Sequence, residues 1–262
     1  MKKGEGLRFY QNKVHCVDCR QGFKELKDQS VDCVWTDPPY NINYKYKNYK
    51  DSLKDWDYWG LIHQTLAESY RVLKPGKCMF IKQFWKNINR TLTRAISVGF
   101  EIHNIIIWKN SSPAQPKNNY KPIYEVIIML VKGELDYFND KFETRTTIIP
   151  WNKDRKLNYY GKITNLWDDI PPVYAGSIKH KEAVLEPGTN KKAHPAQHPI
   201  KLVTRCIGFV TKPGDLVLDP FIGSGTTAVA CKELGRNFVG FEIDEAYCKI
   251  AEKRLEQQTL IM

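Results

Sequence analysis

Two short stretches hold residue types that chemistry needs, at the kind of place where a fold presents them. "TDPPYN", Thr36 to Asn41, puts a carboxylate, two rigid prolines and an aromatic ring directly after the apolar run "SVDCVW". "LDPFIGSGTT", Leu218 to Thr227, repeats the Asp-Pro-aromatic order after "DLVL" and continues into glycines at 223 and 225. In isolation the first stretch also reads as a stiff turn that ends a strand, since proline has a fixed φ and no N–H to donate.

The second stretch is more specific. Strand, glycine turn, helix and strand follow one another from Leu216 to Glu242. Gly223 and Gly225 let backbone approach a ligand, and the helix N-terminal amides that follow can meet an anionic group. Glu242 ends the next strand 19 residues after Gly223, where a carboxylate accepts both hydroxyls of a ribose. Gly223, Gly225 and Ala228 also fit G-x-G-x-x-A, the loose dinucleotide pattern, so a nucleotide-binding oxidoreductase is one alternative. That alternative leaves Asp219, Pro220 and Phe221 unexplained. A carboxylate at a strand end repels pyrophosphate but attracts an ammonium or sulfonium group, and S-adenosylmethionine carries both with a ribose. No G-x-x-x-x-G-K-[ST] occurs, so an ATP-type loop is not supported.

The elements that must position these stretches alternate. "KVHCVD" and "SVDCVWTD" read as strands, and "DYWGLIHQTLAESYRVL" as a helix with Leu61, Ile62, Leu66, Tyr70 and Leu73 on one face. "KPGK" stops that helix; "CMFIK", "EIHNIIIWKN" and "IYEVIIMLVKG" read as further strands. "HPIKLVTRCIGFV" and "DEAYCKIAEKRLEQ" read as helices, the last with Ile243, Ala246, Tyr247, Ile250 and Leu255 inward. Strands alternating with helices imply a mostly parallel sheet covered on both faces, with ligands bound beyond the carboxyl ends of its strands. Asp37 and Asp219 both stand at such ends. Between Gly133 and Lys192 the apolar periodicity fades, and Lys141 to Lys201 holds eleven Lys/Arg against six Asp/Glu. That length suits an inserted functional element. The expected organisation is residues 1–132, an insert at 133–192, and residues 193–262 completing the first domain.

Composition sets the class. The chain has 262 residues, 42% hydrophobic and 26% charged, with a formal net charge of +11. That balance favours a polyanionic partner, because neutralising phosphates releases counterions. No apolar run reaches the 18 residues of a membrane span, and no apolar segment follows the basic N-terminus, so a cytoplasmic protein with no membrane association is expected. Seven cysteines are scattered singly, four of them (Cys33, Cys78, Cys206, Cys231) in or beside apolar runs that suit reduced core residues. "CVDC" has no second pair at zinc spacing, so no metal is expected.

"TDPPYN" together with "LDPFIGSGTT" resembles the DNA amino-methyltransferases, and the order, catalytic motif first and glycine motif last, is similar to the circularly permuted β group of that family. "VLKPGKCMFI", "IIIWKN", "NLWDDI" and "HPAQHPIKL" look like family segments in family order, so the resemblance covers nearly the whole chain. It implies a Rossmann-like methyltransferase fold, α/β and circularly permuted, with a mostly parallel twisted sheet, helices on both faces and an inserted target-recognition region. It implies S-adenosylmethionine as cofactor, lined by Asp219, Pro220, Phe221, Gly223, Ser224, Gly225 and Thr226. Glu242 would take the ribose, Asp18 the adenine amino group, and Gln197, His198 and Pro199 the methionine end. Family members often carry Lys where His198 stands. Asp18 reads equally as the N-cap of the helical turn "CRQGFKEL".

The implied reaction gives each elbow residue work. An exocyclic base amine is a poor nucleophile, because its lone pair is delocalised, and attack builds positive charge on nitrogen. Asp37 accepts one N–H, the carbonyl of Pro38 accepts the other, with Pro39 stiffening the turn, and Tyr40 offers a face to an extruded base. Methylation at cytosine carbon 5 needs a thiolate, usually after proline, and none of the seven cysteines follows one. An Asp first residue in this family leans to adenine N6, with cytosine N4 the alternative and RNA or protein amides a remoter one. Double-stranded DNA is the expected partner. Lys153, Arg155, Lys156, Tyr159 and Tyr160 are candidates for contacting it, and Ser111 to Pro122 for shaping the base pocket. A cognate restriction endonuclease is a further candidate partner, and monomer and homodimer both stay open.

Overall fold

The computed structural model describes residues 11–43, 51–110, 117–118, 120–147, 159–173, 182, 184 and 197–259. An eight-stranded sheet runs in the order β1 (Lys13–Cys16), β10 (Asn237–Glu242), β9 (Leu216–Asp219), β2 (Val31–Thr36), β3 (Leu73–Gln83), β5 (Tyr124–Val131), β4 (Glu101–Lys109), β8 (Leu166–Trp167). Every neighbouring pair is parallel except β3–β5 and β5–β4, so β5 alone is reversed.

The alternation of side chains along β2 sorts the core onto the two faces of the sheet. Cys33 and Trp35 belong to a cluster with Phe80, Ile127, Leu202 and Cys206, covered by α4 (Ile200–Val210), α5 (Thr226–Glu233) and α6 (Glu245–Thr259). Val34 belongs to the opposite cluster with Met79, Ile81, Ile62 and Leu66, covered by α2 (Asp55–Val72) and α3 (Ile88–Val98). A strand buried on both faces explains why "VDCVWT" is apolar without alternation. β9 lies directly against β2, with Cys33 opposite Val217 and Val34 opposite Leu218. The last third of the chain thus supplies the middle of the sheet, and two motifs about 180 residues apart in sequence leave adjacent strands on the same side.

Three local expectations change. β3 does not begin after "KPGK" but runs through it: Val31 pairs with Leu73 and Cys33 with Cys78, so the extra residues form an irregularity, with Gly76 at φ +76°. α6 begins at Glu245, and through residue 256 its buried residues are Tyr247, Cys248 and Ala251, whereas Ile243 and Ala246 are exposed. Asp244 explains the shift, because its carboxylate accepts the Ala246 N–H and starts the helix there. The range expected as an insert also contributes to the main sheet. β6 (Thr144–Thr147) and β7 (Tyr159–Lys162) form a separate hairpin, but β8 extends the sheet edge at β4, and Ile170 and Val173 are buried. The Ile170 carbonyl accepts from Trp108 Nε1 at 2.8 Å. Among the described residues no helix is long and apolar enough to cross a membrane.

Candidate active site

β2 carries Asp37 to the carboxyl edge of the sheet, where the two prolines turn the chain. The elbow is held from outside. The Asp51 carboxylate, 2% exposed, accepts the N–H groups of Asn41 (2.8 Å) and Ile42 (3.0 Å). The Asn41 side chain bonds Leu53 twice, accepting its N–H at 2.7 Å and donating to its carbonyl at 3.0 Å. Asn41 itself is left-handed (φ 57°), a conformation that Asn tolerates better than most residues. From the start of α3, Asn87 Nδ2 donates to the Tyr40 carbonyl at 2.9 Å. The Tyr40 ring packs at 6.2 Å and 22° against Phe84, so the platform is stacked from one side.

Around Asp37 the charges converge. Tyr40 donates its hydroxyl to Asp37 Oδ1 at 2.5 Å, and Lys82 Nζ, on β3, lies 3.1 Å from Oδ2 and 2.9 Å from the Tyr40 oxygen. Lys82 is 5% exposed and also pairs with Glu125 of β5. His198 Nδ1 stands 3.5 Å from Asp37 Oδ2. Burial alone would raise the Asp37 pKa, but the Lys82 charge, with His198 and the Tyr40 hydroxyl, more than offsets it and holds the carboxyl below its usual range.

The glycine loop is built by three anchors. Asp219 reaches its backbone, accepting the Phe221 N–H at 3.0 Å and the Thr227 hydroxyl at 2.5 Å. Glu242 accepts the Gly223 N–H at 3.0 Å and the Asp244 N–H at 2.8 Å. Arg254 of α6 donates to the Ser224 carbonyl at 2.6 Å. Gly225 has φ +83°, and a Cβ there would stand 2.8 Å from the Ala251 Cβ, so only glycine fits the crossing of loop and α6. Burial, with the negative charges of Asp37 and Glu242, pushes the Asp219 carboxyl up to about 7 despite its two hydrogen bonds. Burial likewise raises Glu242. Asp37, whose side chain is 11% exposed, and the more deeply buried Asp219 thus titrate in opposite directions, and the lysine beside Asp37 is the largest favourable difference.

Elbow and loop open into one cleft of about 1020 Å³. Asp37, Pro38, Pro39, Tyr40, Asp18, Gln197, His198, Pro220, Phe221, Gly223, Ser224, Thr226 and Glu242 all line it. Asp219, Gly225 and Pro199 are not among its lining residues: the first two shape the loop from behind, and Pro199 caps α4. Asp18 lines the cleft and is also the N-cap of α1 (Cys19–Gly22), accepting the Arg20 N–H at 2.8 Å and the Arg20 guanidinium. Gln197 is committed to backbone, accepting from Val184 N and donating to the Glu182 carbonyl. Lys153, Arg155 and Lys156 lie outside the described residues; Tyr159 and Tyr160 pair with Thr147 and Thr146 in the β6–β7 hairpin. Lys82, Glu125, Asp51 and Asn87 escaped the sequence reading. The one signal was a lysine inside "CMFIKQF", otherwise a buried strand.

The donor set of the cleft suits a cationic nucleoside. Its carboxylates (Asp18, Asp37, Asp51, Asp57, Glu125, Glu242, Asp244) outnumber its cations (Arg20, Lys82), which disfavours a pyrophosphate. Val17, Leu61, Phe221 and Phe241 add apolar walls for a purine. Fold and cleft together are those of a Rossmann-like methyltransferase. The DNA methylase family model N6_N4_Mtase matches residues 31–253, and the chain belongs to that family. Membership makes it a DNA methyltransferase, with S-adenosylmethionine as its cofactor. The type II methyltransferase M.HpaI of Haemophilus parainfluenzae is 30% identical over 249 residues, 93% of this chain and 74% of that protein. The DNA adenine methyltransferase YhdJ of Escherichia coli K12 is 31% identical over 250 residues, 91% and 81% of the two chains. Among solved structures, the M1.HpyAVI–SAM complex is 27% identical with a TM-score of 0.60, over 92% of this chain and 98% of that one.

Proposed function

We propose that this chain methylates the N6 amine of adenine in double-stranded DNA, on a base turned out of the helix into the cleft. The observation that carries the reading is the meeting of Asp37 and Tyr40 with the Gly223–Glu242 loop in one cleft. S-adenosylmethionine, held by the glycine loop, Glu242 and Asp18, supplies an electrophilic methyl group when bound. Asp37, ionised, accepts a hydrogen bond from one amine N–H and stabilises the positive charge that grows on nitrogen. The Pro38 carbonyl accepts from the other, and the proton that the methylated nitrogen then sheds leaves by Asp37 or by water. Tyr40, backed by Phe84, stacks on the base. The adenine assignment is supported by Asp as the first elbow residue and by the likeness to YhdJ. Cytosine N4 presents the same NH2 group and is the second reading.

The basic segment that includes Lys153, Arg155, Lys156, Tyr159 and Tyr160 is the proposed DNA-contacting region. The cleft itself is acidic, so the chain's net charge of +11 is carried elsewhere on the molecule. We place the activity in the cytoplasm, with a cognate restriction endonuclease as candidate partner. Incubation with tritiated S-adenosylmethionine and duplex DNA, RNA or protein tests the class of substrate. Label in duplex DNA is expected, and label only in RNA or protein would overturn the reading.

The raised Asp219 carboxyl predicts how cofactor binding depends on pH. A cation in the cleft favours the ionised form, so binding below about pH 7 releases a proton, and affinity rises as pH is raised towards that value. The stability of the unliganded protein changes the other way. Asp219 contributes most below the ordinary carboxylate range, and that contribution is lost as pH rises through about 7. Binding calorimetry in buffers of different ionisation enthalpy checks the first and thermal unfolding across the same pH range the second, with Asp219→Asn expected to flatten both profiles. A wild-type profile that is already flat between pH 6 and 8 would contradict the assignment.

A further inference from the structure

Lys82 is a buried cation in a strand that otherwise reads as core, and nothing in the reaction outlined above requires it. Its Nζ touches the hydroxyl of Tyr40 and one oxygen of Asp37, and on its other side it pairs with Glu125. The ring faces of Tyr40 and Trp108 lie 5.4 Å and 5.8 Å from it. Glu125 is fixed in turn, because its Oε1 accepts from Asn110 Nδ2 at 2.5 Å. β3 and β5 are hydrogen-bonded neighbours, with Lys82 opposite Ile127 and Gln83 opposite Val126, so the pair is built into the sheet rather than hung on a loop.

We propose that Lys82, clamped by Glu125, is a positioning residue that orients Asp37 for the target amine. Lys82 occupies Oδ2 and leaves Oδ1 for a donor from the cleft. The Tyr40 hydroxyl holds that place when no base is bound, and an amine N–H takes it over. A carboxylate as enclosed as Asp37 is kept ionised by a permanent counter-charge; the still more buried Asp219, with no cation beside it among the described residues, is pushed up instead. Among the described residues, the charged and titratable groups facing Asp37 are Tyr40 from its own loop, Lys82 from β3, Glu125 through Lys82 from β5, His198 ahead of α4, and Asp219 at the end of β9. Lys82 is the permanent cation among them.

This inference rests on the amine-transfer reading, and the test separates the two. The double variant Lys82→Met/Glu125→Gln removes the clamp without stranding the Glu125 charge. Its kcat is expected to fall roughly 100-fold near pH 6 and to recover as pH rises, because Asp37 then ionises only at higher pH. Wild-type kcat is expected to show no acid limb from Asp37 above about pH 5, and at any one pH the calorimetric affinity of the double variant for S-adenosylmethionine is expected to stay within about twofold of wild type. A double variant whose pH profile parallels wild type, even with a lowered melting temperature, makes Lys82 merely structural and overturns the proposal. Should the double variant not fold, Glu125→Gln alone decides. A kcat about tenfold lower at every pH, with KM unchanged, supports the clamp, and an unchanged kcat sinks it. Inactive wild-type protein would instead count against the amine-transfer reading.

Discussion

Asp37→Asn is expected to lower the methyl-transfer rate by about 10²- to 10³-fold while cofactor affinity changes by no more than about threefold. The substitution keeps the volume of the side chain and its place on the turn after β2, so the elbow held by Asp51, Asn41 and Asn87 should persist. What it removes is charge. An amide oxygen accepts a hydrogen bond but does not stabilise a developing ammonium as a carboxylate does, and the loss is felt only as nitrogen becomes positive. The cofactor side of the cleft depends on other residues, namely the glycine loop with Asp219, Glu242 and Arg254 behind it. Single-turnover transfer from tritiated S-adenosylmethionine, paired with calorimetry, reads the two effects separately. Equal losses in rate and affinity would mean that Asp37 belongs to the cofactor pocket instead.

The second large effect concerns stability. Arg205 on α4 has a side chain with no exposure, bonded to Glu143 at 2.5 and 2.8 Å and to Asp169 at 2.6 and 2.9 Å, and it lies 5.1 Å from the Trp167 ring centre. One guanidinium thus ties α4 to residues on both sides of the β6–β7 hairpin. Removing one partner of a fully buried pair costs about 3–5 kcal/mol. The two carboxylates here are about a quarter exposed, and Lys201 stands 3.4 Å and 3.6 Å from them, so water and that lysine take up part of the stranded charge. Arg205→Leu is therefore expected to destabilise by about 2–3 kcal/mol, a fall of roughly 5–10 °C in melting temperature for a chain of this size. Adding Glu143→Gln and Asp169→Asn should recover much of the loss, because it neutralises what the arginine had paired. A melting temperature unchanged in Arg205→Leu would show that the cluster contributes little.

The chemistry of the cleft was legible where it was local. Asp-Pro-Pro-Tyr after an apolar run, and Asp-Pro-Phe before paired glycines, are contiguous, and the parallel-sheet reading alone suffices to bring their strand ends together. Lys82 and Glu125 were not legible, because their meeting depends on the register of β3 against the one reversed strand, which a pattern of apolar residues does not specify. Asp51 escaped for a related reason: a carboxylate ten residues from the N–H it accepts leaves no spacing rule to find it by. Asp18 stands in the structure as the N-cap that its place before the helical turn predicts, and its carboxylate also lines the cleft. In the last helix Tyr247 is buried as its spacing predicts, but Ile243 and Ala246 are exposed, because the Asp244 cap starts the helix only at Glu245.

The most direct measurement is nucleoside mass spectrometry of mixed-sequence duplex DNA after incubation with S-adenosylmethionine and either wild-type protein or Asp37→Asn. The account predicts N6-methyladenine with the wild-type protein and a trace or none with the variant. N4-methylcytosine in its place would move the target base while keeping the amine chemistry of the elbow. Methylation at a ring carbon, or equal product from both proteins, would contradict the role given to Asp37.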